Sequence, residues 1–328
     1  MHIVRSGGIG SGPRPAADSA ALSPVKPGPT LGGLPIRGLA LMAVLTVVWG
    51  LVWPAMKVTV AEIPVFSFRA LTAVLAAAAV FAVGRGLGLS LALARRDRGP
   101  MLLAGLFNVF GWFYFSALGM TMIAAGRASI IAYSMPIWAF LIGMPLLGER
   151  PDRQRLLGLG LGMAGIAILI GDDLFRLEAA PAGALAMLGA AICFGTGAVV
   201  HKRFRWRTPT LTLLGWQMAA AAIPLGAAAL AVDLDRLQPV SWVAVAGLLY
   251  VVFASAFGMF AWYRVLEILP MSVASIGTLM VPLLGVFSSA LALGEPVGWQ
   301  EITALALVMA AIATVLTMPR FGRRADSG

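Results

Sequence analysis

Between residues 38 and 317 the chain alternates long apolar runs with short polar breaks. The runs fall at about 38–56, 63–84, 101–119, 127–147, 156–171, 182–200, 210–232, 241–262, 271–293 and 299–317. Most approach the ~20 residues a helix needs to cross ~30 Å of hydrocarbon. They also lack the polar stripe that a water-facing helix carries. The pattern predicts an all-α polytopic membrane protein with ten transmembrane helices. Residues 1–36, rich in Gly, Pro, Ser and Ala and without an apolar h-region, read as a disordered tail. Residues 318–328 read as a basic C-terminal tail.

Composition agrees with this pattern. Hydrophobic residues make up 60% of the 328 positions and charged residues only 12%, against roughly 25% charged in soluble domains. The net charge of +10 would suggest nucleic acid if read alone, but the basic residues occupy short loops. With the N-terminus placed in the cytoplasm, 19 of the 24 lysines and arginines fall on the cytoplasmic side. The opposite side receives acids instead: Asp172, Asp173, Glu178, Asp233 and Asp235. By the positive-inside rule both termini are cytoplasmic (N-in/C-in), which places the chain in the plasma or inner membrane. The single cysteine, Cys193, lies in an apolar run and reads as a core residue, so no disulfide framework or metal spacing is expected.

The chain also repeats itself. Pro136, Gly148-Glu149 and Ala128-Ser129-Ile130 recur as Pro282, Gly294-Glu295 and Ala274-Ser275-Ile276, all at a spacing of 146. Carried without gaps from 128 to 170, that spacing gives 14 identities in 43 positions, which exceeds a coincidence of proline alone. Trp49-Gly50 and Lys57 align with Phe194-Gly195 and Lys202 at a spacing of 145. Two five-helix units follow, 38–171 and 182–317. Because five is odd, the second enters the membrane inverted. Inverted repeats suit alternating access, in which two equivalent halves expose one site to either side in turn.

Two five-helix halves whose proline-bearing fourth spans end in "LLGE" and "LALGE", together with "WGLVWPAMK" and "FSFRAL", resemble the EamA family of the drug/metabolite transporter superfamily. The resemblance covers about residues 40–317. It implies a ten-helix permease or exporter of small organic solutes, with a central cavity between the halves. Family substrates include amino acids and other metabolites.

Polar groups inside spans are costly and therefore candidates for function. Arg69, about two turns into the second span, either attracts a substrate carboxylate, pairs with a carbonyl or snorkels outward. Gln217, Asn108 and Tyr133 are further candidates for cavity polarity. Pro136 and Pro282 lie near the middle of spans four and nine. Each leaves a carbonyl one turn earlier, at Ala132 and Thr278, without its helical donor. They are candidate hinges, or else packing kinks. Trp53, Trp138 and Trp216 are candidates for an apolar cavity wall, with an interfacial belt as the alternative. Gly50 and Gly195 are candidates for close helix contact, as is the "GLGLGMAG" stretch at 158–165. Lys57 and Lys202 read as helix ends at the lipid boundary.

The interiors of the spans hold no carboxylate, which disfavours proton coupling through a central acid and a preference for lipophilic cations. There is no H-E-x-x-H, no G-x-S-x-G and no phosphate-cradling loop, and the only histidines are His2 and His201. An intramembrane enzyme is therefore disfavoured, and no cofactor is expected. The reading is a secondary transporter of small organic metabolites, amino acids among them, with a channel or non-transporting membrane protein as the alternative. Its partners would be a small-molecule substrate and the lipid bilayer, with a second copy of the chain as a further candidate and nucleic acid excluded.

Overall fold

The structure is a computed structural model that describes residues 30–31, 34–147, 153–175, 180–269 and 271–316. The Gly148-Glu149 motif and most of both tails lie outside the described residues, as do the side chains of Thr278, Asp172, Asp173 and Glu178. Thr30–Leu31 pairs antiparallel with Leu34–Pro35 just ahead of the first helix.

The first half contains α1 (Ile36–Glu62), α2 (Val65–Gly86), α3 (Arg98–Gly105), α4 (Trp112–Met122), α5 (Ala125–Ala132), α6 (Met135–Leu147) and α7 (Arg153–Phe175). A π-helical segment, Leu106–Gly111, joins α3 to α4 in one continuous span. The second half contains α8 (Ala180–Arg203), α9 (Thr210–Ala228), α10 (Trp242–Ile268), α11 (Met271–Leu293) and α12 (Trp299–Leu316). Among the described residues, seven helical stretches are long and apolar enough to cross a membrane. Three shorter apolar stretches, Leu156–Ile168, Met280–Leu293 and Trp299–Ala311, lie in α7, α11 and α12.

Local chemistry explains several of the boundaries. α1 stops at Glu62 because Ile63 precedes Pro64, and a residue before proline is pushed out of the helical region. α10 begins at a Ser241 cap, whose hydroxyl accepts from the Ala244 N–H. α11 ends where Gly294 takes φ +69°, a left-handed conformation that glycine adopts without steric cost. Both faces of α1 are apolar: Val44, Val47 and Leu51 point outward, while Met42, Leu45, Trp53 and Met56 are buried. A helix of that kind requires lipid on its outer side.

The packing pairs exchange when the two halves are exchanged. α1 packs on α10 and α11 of the second half, while α8 packs on α4, on the π segment and on α6 of the first. α2 packs on α9, and α7 on α12. Glycines permit the closest of these approaches. A Cβ at Gly50 would sit 2.6 Å from the Leu284 Cβ on α11, and one at Gly195 would sit 2.7 Å from the Ala139 backbone nitrogen on α6. In the 158–165 stretch, Gly165 lies against Ala304 and Val308 of α12.

Two expectations need correction. The fourth span is a broken helix at Pro136: α5 stops at Ala132, Tyr133 and Ser134 form a turn, and Pro136 is the second residue of α6. Pro282, by contrast, sits inside an unbroken α11. The break is held locally. The Ser134 N–H and hydroxyl both donate to the Ile131 carbonyl, and the Ile137 N–H donates to the Ser134 carbonyl. Lys57 is likewise no helix-end marker, because α1 runs five residues beyond it. Its ammonium donates to the carbonyls of Met120 (2.8 Å) and Ile123 (2.6 Å), at the end of α4. Those carbonyls lack intrahelical donors and carry the negative end of the helix dipole.

Candidate functional site

A cavity of about 160 Å³ lies among α1, the π segment, α4, the α5–α6 break, α8, α9 and α10. Trp49 and Trp53 reach it from the middle of α1, and Phe194 reaches it from α8. Trp49-Gly50 and Phe194-Gly195 therefore act alike in the two halves. The aromatic residue faces the cavity, and the glycine after it lets a helix of the other half approach.

The aromatic wall is locked by packing. The Trp53 and Tyr133 rings meet edge to face at 6.5 Å, and those of Trp112 and Phe194 at 5.2 Å. Glycines of the second half seat the tryptophans: a Cβ at Gly285 would lie 2.9 Å from Trp53 Cδ1, and one at Gly258 would collide with the Trp49 indole. A Cβ at Gly197 would lie 2.5 Å from the Asn108 Cβ, so Gly197 seats the π segment. That segment places Asn108 at the cavity, and π segments inside α-helices recur at functional sites because they re-aim side chains.

Three residues that line this apolar cavity carry a polar group without a partner among the described residues. The Trp53 indole Nε1 is buried and has no acceptor among the described residues. Neither the Tyr133 hydroxyl nor the Asn108 amide has a hydrogen-bond partner among the described residues. No charged side chain among the described residues lines the cavity. Unsatisfied donors and acceptors in an apolar pocket cost free energy unless a ligand or water engages them.

The other sequence candidates lie elsewhere. Trp138 donates its indole N–H to the Ser134 hydroxyl at 3.1 Å, and Trp216 donates to the Leu91 carbonyl at 3.0 Å. Neither tryptophan is among the residues that line the cavity, contrary to expectation. Gln217 is buried on α9, where Gly105 of α3 packs against it. Pro136 lies next to Met135, which lines the cavity, and the Pro282 carbonyl faces the Ser129 hydroxyl at 3.5 Å. Thr278 lies on α11, but its side chain is outside the described residues.

Arg69 does not snorkel outward. It is 2% exposed, and its Nη2 donates to the Ser116 hydroxyl at 2.6 Å and lies 2.8 Å from the Met56 sulfur. The guanidinium stacks over the rings of Phe68 and Phe113, at 4.6 and 4.8 Å. Its Nε has no partner among the described residues. Phe113 therefore carries Arg69 on one side and forms part of the cavity wall.

Sequence reasoning missed Trp49, Trp112, Phe113, Phe194 and Met259 as wall residues. The repeated aromatic-Gly pair was the available signal for Trp49 and Phe194. For the others, apolar residues within apolar spans gave no contrast.

The family model of the EamA-like transporter family matches residues 36–171 and again 181–317. Similar curated proteins include the Bacillus subtilis "Uncharacterized transporter YoaV", 25% identical over 77% of this chain and 87% of its own. A Salmonella typhimurium "Probable amino-acid metabolite efflux pump" is 27% identical over 84% of this chain and 92% of its own. The "Aromatic amino acid exporter YddG" of Ancylobacter novellus is 33% identical over 49% of this chain and 56% of its own. A solved crystal structure covering 88% of this chain and 99% of its own superposes with a TM-score of 0.60 at 22% identity, a likeness of fold. With apolar helices packed around a central cavity and a match that covers the chain twice, this multi-pass membrane protein belongs to the EamA-like transporter family.

Proposed function

We propose that the chain is an alternating-access carrier of small, net-neutral organic metabolites, amino acids among them, working chiefly as an exporter. The observation that carries this reading is the uncharged aromatic cavity, whose wall residues Trp53, Tyr133 and Asn108 carry polar groups with no hydrogen-bond partner among the described residues. The printed names of the efflux-pump and aromatic amino acid exporter relatives support the amino-acid class. The aromatic walls favour solutes that bear a ring.

The topology belongs to the same proposal. The two matched segments and the exchange of packing pairs support two five-helix repeats of opposite orientation, ten spans in all. The distribution of lysine and arginine supports cytoplasmic termini. The break at Pro136 acts as the hinge of the fourth span, beside the cavity at Met135. A channel is the alternative, and exchange kinetics separate the two.

Counterflow in proteoliposomes with a panel of aromatic, aliphatic and charged amino acids tests the function directly. Saturable exchange of net-neutral solutes is expected, and absence of exchange across the whole panel rejects the reading. Trp53→Phe keeps a ring edge to face with Tyr133 but removes the N–H. Its half-saturation concentration should rise roughly two- to tenfold, the worth of one neutral hydrogen bond, with folded yield unchanged. Pro136→Ala restores a backbone donor that can close the break, and should slow turnover while leaving the half-saturation concentration within about twofold. Turnover equal to the parent's removes the hinge.

A further inference from the structure

α5 is a helix of eight residues bounded by a turn at each end, and seven of the eight are buried. One end leads through Tyr133 to the cavity. The other begins at the α4–α5 corner, on the side of the bundle where α1 terminates. Side chains from three other elements grip that corner. Lys57 of α1 donates to the last carbonyls of α4, as described above. From the second half, Glu295 accepts from the first N–H groups of α5, with Oε1 on Ala125 (2.8 Å) and Oε2 on Gly126 (3.0 Å). The left-handed Gly294 turns the chain so that Glu295 follows directly on α11.

Arg127, the one residue of α5 that is not buried, pairs through Nε with Glu301 of α12 at 2.5 Å. The same Glu301 also accepts from the Gly298 N–H, which fixes the α11–α12 loop against its helix. Glu295 is the carboxylate whose charge acts on the Lys57 ammonium. The cluster thus holds two cations and two anions on four elements of both halves. Each helix end receives the charge that its dipole favours, an anion at the start of α5 and a cation at the end of α4.

We propose that α5 is a plug sealing this end of the cavity, and that Glu295, Lys57 and the Arg127–Glu301 pair form the latch that holds the plug shut. The inference rests on the alternating-access reading, in which one end must open while the other closes. By the proposed orientation this is the outer end. Releasing the latch frees α5 to move about its break at Tyr133–Ser134 while α6 stays packed on α8.

The test reads accessibility rather than transport, so its outcome does not depend on the substrate. In a Cys193→Ala background, Ser255→Cys reports from the cavity wall. Labelling with a membrane-impermeant maleimide is timed from each side, in right-side-out and inside-out vesicles. Each variant is also scored for monodisperse elution, so that a misfolded one is replaced by the other. Glu295→Gln and Arg127→Gln should each speed labelling from the latch side by roughly ten- to a hundredfold, the scale expected when one closed-state hydrogen bond to a charged group is removed. Labelling from the opposite side should slow. The exchange Arg127→Glu with Glu301→Arg should return the rates toward the parent's. Rates unchanged from the latch side, or raised equally from both sides, overturn the proposal. So does an exchanged pair that labels like Arg127→Gln. Failure of counterflow alongside an intact labelling shift would reject the carrier reading and leave the latch standing.

Discussion

Gly195→Val should abolish recovery of folded protein. A Cβ at this position would lie 2.7 Å from the Ala139 nitrogen, 3.0 Å from the Met135 carbonyl oxygen and 3.1 Å from the Trp138 Cβ. Two of these three neighbours are backbone atoms of α6, so no rotamer change relieves the contact. Overpacking a core costs about 1–3 kcal/mol and occasionally more. Here the strain falls on the packing that ties α8 to the Pro136 break. At Gly50 only one of the three nearest atoms, the Leu284 Cβ at 2.6 Å, comes closer than 3.5 Å, so the crowding there is confined to a single point. Gly50→Ala should therefore be milder than Gly195→Ala. Thermal unfolding in detergent, followed by fluorescence-detected size exclusion, ranks the variants, and a reversed order would show that backbone crowding is not the cause.

The second large effect concerns Arg69 and is asymmetric. Ser116→Ala removes the hydroxyl that accepts from a buried guanidinium. Losing a hydrogen bond to a charged group costs about 1.5–3 kcal/mol, and here the charge stays in place with its Nε already unpartnered among the described residues. Arg69→Met removes the charge itself and leaves an apolar side chain between Phe68 and Phe113. Replacing buried charge by a packed apolar group is often close to neutral. Ser116→Ala should therefore lower the melting temperature more than Arg69→Met does. The opposite ranking would mean that the two stacked rings, rather than the hydroxyl, hold the guanidinium. Phe113 is shared with the cavity, so either change should also alter the half-saturation concentration in counterflow.

The large features were legible in the sequence because they are written in period and length. A membrane span announces itself by its run of apolar residues. The repeated Pro, Gly-Glu and aromatic-Gly pairs pointed to the two halves before any packing was seen. Tyr133 and Asn108 were picked out as polar groups at membrane depth and Trp53 as a candidate for an apolar wall, and the structure brings the three to one cavity.

What escaped the sequence depends on neighbours across the bundle. Pro136 and Pro282 look equivalent along the chain, yet only the first breaks its helix. Ser134, two residues before Pro136, supplies local hydrogen bonds that hold the turn, whereas Met280 precedes Pro282 at the matching place. Lys57 looked like a lipid-boundary marker because nothing nearby in the chain shows that the end of α4 lies within its reach. Gly258 and Gly285 were two glycines among 38. Their meaning appears only when Trp49 and Trp53 are seen lying against them.

Among the described residues no charged side chain lines the cavity, and this has an electrical consequence. Moving one elementary charge through a membrane potential of 100 mV involves about 2.3 kcal/mol. A cavity wall that brings no ionised side chain leaves that work to the cargo's own net charge. A zwitterion would then pass with little voltage dependence, while a singly charged solute would be driven or opposed by the potential according to its sign. Potassium-diffusion potentials imposed on proteoliposomes during counterflow would therefore sort cargoes by net charge, independently of how tightly each one binds.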